Sequence, residues 1–191
     1  MPTRRTTPRV SREDGAELLI AAVLTLARTV PITKVTVRDI ASQAGLQTMH
    51  VKRYFGSRND LLVAVSNRLM ERIVSAVAER PLDRMFAFLQ GNKDVDLRLR
   101  IVNHLLDEGV EPREFTNDRG IYLGIAERIS AVNGVDMRTA RTYALVIQLV
   151  LQGNALMGAA DGITAAERRD IFNLLVALAP QLPAAESFLD W

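Results

Sequence analysis

The sequence predicts an all-α protein with a short N-terminal domain and a longer C-terminal helical domain. Apolar residues recur at helical spacing along nearly all of the 191 residues. Four hydroxyl residues are each followed three positions later by Asp or Glu, as at capped helix starts: Ser11, Thr36, Ser57 and Thr164. The one strand-like run is ITKVTV, residues 32–37, and because a single strand has no partner we predict a connector there.

Residues 1–10 are predicted to form a disordered basic arm, because they hold prolines and arginines without apolar periodicity. Such an arm either follows a groove or the backbone of a nucleic acid, or is merely solvated. The pattern changes after residue 10. Apolar residues at helical spacing then predict a first helix over residues 12–28.

Two short helices around a glycine follow the first helix. Thr36 caps the earlier one, and Gly45 supplies the left-handed residue that ends it. The later one starts near Thr48, keeps its apolar residues inward and ends at Gly56. Neither helix buries its apolar face alone, so we predict a three-helix helix-turn-helix domain over residues 11–58, with the first helix as its floor.

The remaining residues, 59–191, are predicted to form a helical domain. The spacing predicts helices over residues 59–79, 82–90, 94–108, 118–133, 136–160 and 165–179. The last two are apolar nearly all round, so we expect a homodimer in which they pack against their twins as a four-helix bundle. A crowded core within a monomer is the alternative. The predicted dimer contacts are Leu149, Gly153, Leu156, Phe172 and Leu175.

Charge is distributed unevenly along the chain. Residues 1–60 hold ten Lys plus Arg against five Asp plus Glu, and residues 61–191 hold fourteen against seventeen. This favours a polyanion-binding N-terminal part, although chance also produces such an asymmetry. The chain has no cysteine, the N-terminal stretch lacks the pattern of a signal peptide, and the apolar run over residues 144–160 is too short to span a bilayer. We therefore expect a cytoplasmic protein without membrane contact.

The second helix of a helix-turn-helix pair lies in the major groove of double-stranded DNA, with its first residues facing base edges. Base-reading roles are predicted for Arg38, Gln47, Thr48 and His50. Phosphate contacts are predicted for Thr36, Lys52, Arg53, Tyr54 and Arg58. In a dimer, two such helices about one duplex turn apart match a palindromic operator.

The segment TVRDIASQAGLQTMHVKRYFGSRNDLLVAV, residues 36–65, resembles the N-terminal domain of the tetracycline-repressor (TetR) family of bacterial transcription factors. The family pattern runs roughly as TVxDIAxxAGVSxGTLYxYFxSKxxLL. The chain keeps Thr36, Asp39, Ile40, Ala41, Ala44, Gly45, Tyr54, Phe55, Ser57, Leu61 and Leu62. It departs where DNA is read, with Gln47 for a serine, His50 for a threonine, Lys52 for a tyrosine and Arg58 for a lysine. The resemblance covers about residues 12–65.

The resemblance implies a homodimeric regulator, usually a repressor, whose C-terminal ligand-binding and dimerisation domain takes up a small-molecule effector that releases it from DNA. Such a protein associates with the nucleoid when it is bound to DNA. Candidate pocket residues are Phe86, Phe88, His104, Phe115, Tyr122, Tyr143, Gln148 and Gln152. Each has another explanation: the aromatic residues suit a core, His104 suits the surface, and the two glutamines suit bonds across a dimer.

The sequence offers little for catalysis. It has two histidines and no cysteine, and neither a glycine-rich phosphate loop nor an HExxH motif is present, so we expect no metal, no cofactor and no enzyme activity. The alternative function is a helical ligand-binding or scaffolding dimer whose helix-turn-helix is a non-functional relic. A relic binds little DNA at any salt concentration, whereas phosphate contacts make affinity fall steeply with salt.

Overall fold

The computed structural model describes residues 11–115, 119–157 and 162–189, and every regular element within these ranges is helical, as predicted. The predicted basic arm, residues 1–10, lies outside the described residues. The helices are α1 (Arg12–Leu26), α2 (Val37–Gln43), α3 (Met49–Phe55), α4 (Arg58–Ala78), α5 (Leu82–Gly91), α6 (Lys93–Asp107), α7 (Arg119–Asn133), α8 (Met137–Met157), α9 (Ala165–Leu178) and α10 (Leu182–Ala185). Short 3₁₀ turns occur at Ile32–Lys34, Pro112–Glu114, Ala179–Gln181 and Glu186–Leu189.

The four predicted helix starts all carry the expected cap. In each, the hydroxyl oxygen accepts the N–H of the residue three positions later, at 3.0 Å for Ser11 and Ser57 and at 3.2 Å for Thr36 and Thr164. At the two threonines a carboxylate also accepts the N–H of the cap residue, which completes a capping box. These caps satisfy amide groups that a helix leaves unbonded at its start.

Contacts divide the chain into two compact units, Met1–Ser66 and Asn67–Trp191, and α4 contributes residues to both. In the first unit α1 contacts both α2 and α3, and these two contact each other, so α1 is the floor that the sequence predicted. Leu19 and Val23 of α1, Ile40 of α2 and Val51 of α3 are all buried.

A left-handed glycine sets the turn between α2 and α3. Gly45 has a φ of 67°, its N–H donates to the carbonyl of Ser42 at 3.1 Å, and the N–H of Leu46 donates to that of Ala41 at 2.9 Å. This pair of bonds is the Schellman arrangement, which bonds the last carbonyls of α2. Gly56, with a φ of 97°, ends α3. Both glycines act as the sequence predicted.

The second unit has its own hydrophobic core. Helix α7 packs along α8, and α5 and α6 contact α9 and α8 respectively. Arg128 of α7 donates to the carbonyls of Val77, at 3.0 Å, and of Arg80. The core includes Met85, Leu89, Ala126, Ile129, Ala140, Ile147 and Phe172. Among the described helices, none is long and apolar enough to cross a membrane.

Replacing Ile40 with alanine tests the packing of the first unit. Ile40 is fully buried, so we expect Ile40→Ala to lower the free energy of unfolding by about 2–5 kcal/mol. Ser42→Ala, an exposed position on the same helix, should change it by less than about 0.5 kcal/mol. Urea unfolding followed by circular dichroism measures the free energy of unfolding of both variants. Equal changes in the two variants would contradict the burial of Ile40.

Candidate nucleic-acid interface

An open groove of about 460 Å³ lies where α2 and α3 meet. Three of the four predicted base-reading residues, Arg38, Gln47 and Thr48, line it and are exposed. The full lining is Arg38, Ala41, Ser42, Leu46, Gln47, Thr48 and Met49. The fold therefore brings polar side chains of α2 and of the two residues just before α3 to one concave surface.

Met49 lines this groove but was not among the residues predicted to contact DNA. Its side chain is 60% exposed and stands between Thr48 and His50 at the start of α3. The outward residues of α3 were predicted from their polarity, and Met49 is apolar. Helical spacing carried the missing signal, because residues two apart on a helix point in nearly opposite directions and Val51 is buried.

His50 is half-buried and bonds to the backbone at the start of its own helix. Its Nδ1 lies 3.2 Å from the backbone nitrogen of Gln47 and 3.1 Å from the carbonyl oxygen of Gln47. Whether Nδ1 accepts from the N–H or donates to the carbonyl depends on the tautomer of the ring, and both partners belong to the backbone of Gln47. Nδ1 is therefore engaged by the backbone, and Nε2 is the ring nitrogen that we expect to meet a base edge.

Tyr54 packs against α1. A Cβ atom added at Gly15 would lie 2.5 Å from Cε2 of Tyr54, so the tyrosine ring occupies the space that only glycine leaves open. The Tyr54 ring lies 5.4 Å from that of His50, and the Arg53 guanidinium lies 6.0 Å from its centroid. Tyr54 thus packs α3 against α1 at Gly15. Its hydroxyl is also one of the groups predicted to contact a phosphate.

The residues predicted to contact phosphate differ in their surroundings. Lys52 and Arg53 are exposed on α3. Thr36 is engaged by Asp39, because its hydroxyl donates to the carboxylate at 2.6 Å and its N–H donates to the same oxygen at 3.0 Å. These bonds, the hydroxyl first and then the N–H, hold the pKa of Asp39 below its usual value. A carboxylate therefore stands at the helix start where a phosphate was predicted.

Arg58 is half-buried, and its side chain turns back toward the segment before α2. Its Nε donates to the carbonyl of Val35 at 2.9 Å, and its Nη2 donates to that of Ile32 at 2.6 Å. Its surroundings thus differ from those of Lys52 and Arg53, which point outward.

Of the candidate pocket residues, Tyr143 belongs to the core of the second unit, and Phe88 and Tyr122 are half-buried and pack against that core. The Tyr143 hydroxyl donates to the carbonyl of Leu175, and burial raises the pKa of this tyrosine to about 12. The Tyr122 hydroxyl donates to the carbonyl of Arg141 at 2.7 Å. Both tyrosine hydroxyl groups are therefore bonded to backbone carbonyls of the same unit.

The other candidate pocket residues lie in different surroundings. His104 and Phe115 are buried, Gln152 is half-buried and Gln148 is exposed. The surface position suggested as the alternative for His104 is therefore wrong. The side chain of Phe86 lies outside the described residues.

Of the predicted dimer contacts, Leu149 is 64% exposed, Gly153 and Leu175 are half-buried, and the side chain of Leu156 lies outside the described residues. Phe172 is only 3% exposed and packs in the core of its own chain, so its assignment to an outer face is corrected. The outward apolar row of α9 consists of Ile171, Leu174 and Leu178, and that of α8 includes Leu145, Val146 and Leu149.

The first unit has two seven-residue helices around a left-handed glycine, with polar and basic side chains exposed on the second. This architecture and this surface are those of a helix-turn-helix domain of the DNA-binding type. Residues 19–65 match the family model described as bacterial regulatory proteins, tetR family. The first unit therefore carries a helix-turn-helix domain of the TetR type.

Two curated relatives support this assignment. The chain is 31% identical over 119 residues to an uncharacterised HTH-type transcriptional regulator from the 5′ region of dhlA in Xanthobacter autotrophicus, a match that covers 62% of this chain and 56% of that protein. It is 26% identical over 182 residues to the HTH-type transcriptional regulator BetI 2 of Chromohalobacter salexigens, covering 85% and 87% of the two chains.

A solved structure shares the fold. The crystal structure of a transcriptional regulator from Rhodococcus sp. Rha1 superposes with a TM-score of 0.66 at 17% identity, over 87% of this chain and 96% of that one. At this identity the similarity establishes the helical architecture alone.

Introducing a methyl group at Gly15 tests the contact with Tyr54. Alanine in a helix interior is normally more stable than glycine by about 1 kcal/mol. Here the added Cβ would lie 2.5 Å from the tyrosine ring, so Gly15→Ala should instead destabilise the protein by about 1 kcal/mol or more in urea unfolding. In a Tyr54→Ala background the same change should become stabilising. A stabilising effect in the unaltered protein would disprove this contact.

Proposed function

We propose that the chain is a transcriptional regulator of the TetR family, a ligand-responsive repressor that binds a palindromic DNA operator as a homodimer and is released by a small molecule. Its function is binding rather than catalysis, and its place is the cytoplasm, at the nucleoid when bound to DNA. The observation that carries the proposal is the groove at α2 and α3, where Arg38, Gln47 and Thr48 are exposed together beside the basic outer face of α3.

In this proposal α3 lies in the major groove with its N-terminal residues against base edges. Gln47 pairs with adenine through its amide, Thr48 contacts a base or a thymine methyl, and His50 donates from Nε2 to a purine acceptor. Arg38 reaches the same bases from α2. Lys52 and Arg53 neutralise phosphates beside them, and the hydroxyl of Tyr54 adds a further contact.

Dimerisation is proposed because one seven-residue helix reads too few bases to bind tightly by itself. The apolar rows on α8 and α9 are suited to such an interface, since exposed contiguous apolar surface marks interaction sites. These two helices are linked within the chain by the hydrogen bond from Tyr143 to Leu175. A second copy would cover both rows.

The effector is proposed to bind in the second unit, where Tyr143 lies in the core and Phe88 and Tyr122 pack against it. His104, Phe115 and Gln152 are further candidates, and Phe86 lies outside the described side chains. Gln148 is exposed on α8 beside Leu149, so it suits a bond across the dimer better than a pocket. A ligand releases DNA only if it binds the released state more tightly than the DNA-binding state.

Capture of genomic DNA tests the proposal. The purified protein is mixed with fragmented DNA of its source genome near physiological salt, and the retained DNA is sequenced. Recovery of a palindromic site supports the proposal, and the neighbouring genes then indicate the effector class. If nothing is enriched even after any co-purified ligand is removed, the alternative of a helical dimer with a relic helix-turn-helix is favoured.

Substitutions of Lys52 and Gln47 separate backbone contacts from base reading. Lys52→Ala should weaken binding to all DNA sequences alike and reduce the salt slope by about 0.9. Gln47→Ala should weaken the operator selectively, by about 1–3 kcal/mol relative to unrelated DNA. Fluorescence anisotropy at several salt concentrations measures both. If Lys52→Ala instead changed the preference between DNA sequences and left the affinity for unrelated DNA as it was, the orientation proposed for α3 would be refuted.

Met49 is expected to contact a thymine methyl, because it is an exposed apolar side chain among polar base-reading groups. Replacing that thymine by deoxyuridine removes one methyl, which should lower wild-type affinity about fourfold. Met49→Ala should be insensitive to the same replacement. If replacement of each thymine of the operator by deoxyuridine lowers the affinity of the wild type and of Met49→Ala by the same factor, this contact is excluded.

Charged substitutions on the two apolar rows test the dimer. Leu149 and Leu174 are 64% and 59% exposed, and burying a glutamate at either position in an interface is costly. Leu149→Glu and Leu174→Glu should therefore sediment as monomers at micromolar concentration. Val132→Glu is the matched control, because Val132 of α7 is 68% exposed but lies outside both rows. If the wild type sediments as a monomer, or if Leu149→Glu and Leu174→Glu still sediment as dimers, this interface is ruled out.

A further inference from the structure

The first residue of α4 makes a connection that spans more than twenty positions of sequence. Arg58 donates through Nε to the carbonyl of Val35, at 2.9 Å, and through Nη2 to the carbonyl of Ile32, at 2.6 Å. Both nitrogens lie on one edge of the guanidinium, which presents two parallel donors. This edge is therefore occupied by protein and not directed at a ligand.

The position of Arg58 disfavours a role in stabilising its own helix. A cation in the first turn of a helix is opposed by the helix dipole, whose positive end lies there. The two carbonyl oxygens offset that cost, and hydrogen bonds from an ionised donor are roughly twice as strong as neutral ones. The side chain is also half-buried, which limits competition from water.

The segment that Arg58 holds leads directly into α2. Ile32 begins a 3₁₀ turn, and Val35 is followed at once by Thr36, the cap of α2. The side chains of Ile32 and Val35 are both buried, so the segment is fixed on its apolar side as well as through its carbonyls. Fixing it sets where α2 starts and hence where α2 places Arg38 in the groove.

We propose that Arg58 is a positioning residue of the DNA-reading domain, which orients α2 through the Ile32 and Val35 carbonyls instead of binding a phosphate. This inference rests on the proposed function for its effect on DNA binding. The restraint that Arg58 places on residues 32–40 is present in the protein without DNA, so this restraint is tested without DNA.

Arg58→Lys and Arg58→Gln distinguish the two roles. Lysine keeps the charge that a phosphate needs, but its single nitrogen does not reproduce a two-donor edge. Glutamine removes the charge as well. Lys52→Gln, on the exposed face of α3, is the matched control for a side chain that contributes charge alone.

The experiment combines DNA affinity at several salt concentrations with hydrogen exchange of the DNA-free variants. If Arg58 positions α2, both variants weaken operator binding by similar factors at every salt concentration, with the wild-type salt slope. The amides of Val35, Asp39 and Ile40 then exchange at least about tenfold faster, while amides within α1 keep their rates. Lys52→Gln should lower the salt slope by about 0.9 and leave exchange unchanged.

The opposite pattern overturns the inference. Arg58→Lys would then bind like the wild type, Arg58→Gln would lose about 0.9 of the salt slope, and exchange in residues 32–40 would not change. Faster exchange throughout residues 11–66 would equally overturn it, because that indicates general destabilisation. If the wild type binds no DNA at any salt concentration, the proposed function fails, and hydrogen exchange still decides whether Arg58 restrains α2.

Discussion

The left-handed turn at Gly45 is the constraint on which the DNA-reading surface depends. Helices α2 and α3 have seven residues each, and helices of that length are not stable alone in water. The positive φ of Gly45 allows its own N–H and that of Leu46 to bond the last carbonyls of α2, so that α3 can begin a few residues later at a defined angle. A residue with a Cβ enters this conformation at a cost. Packing on α1 then holds the pair in place.

Basic side chains around this turn have two kinds of surroundings. Lys52 and Arg53 stand in solvent on α3, where they add positive potential at little cost in desolvation. Arg58 is held by two backbone carbonyls and acts on the arrangement of the helices. Asp39, whose pKa is lowered by its bonds from Thr36, completes the start of α2 with a negative charge. The net positive charge of this region therefore favours a polyanion as a whole. Which side chains can bind that polyanion depends on the contacts that each side chain already makes within the protein.

Much of the fold was predictable because its signals are local. Caps, glycines and helical spacing depend on residues a few positions apart, and the four capped starts and the turn at Gly45 appear as predicted. What failed depends on tertiary contacts. Phe172 and Leu174 are both apolar residues of α9, and only packing decides that the first faces the core and the second faces outward. The bonds from Arg58 and the contact of Tyr54 with Gly15 join residues more than twenty positions apart, which spacing along one helix does not reveal.

In the proposed function, two copies of this surface read one face of a DNA duplex. Hydroxyl-radical footprinting of the protein on its captured genomic site tests this most directly. We expect two protected patches on the same face of the duplex, related by the symmetry of the site and separated by about one helical turn, 10–10.5 base pairs, or a multiple of it. A single protected patch at saturation, or protection that moves freely along the fragment, would contradict it.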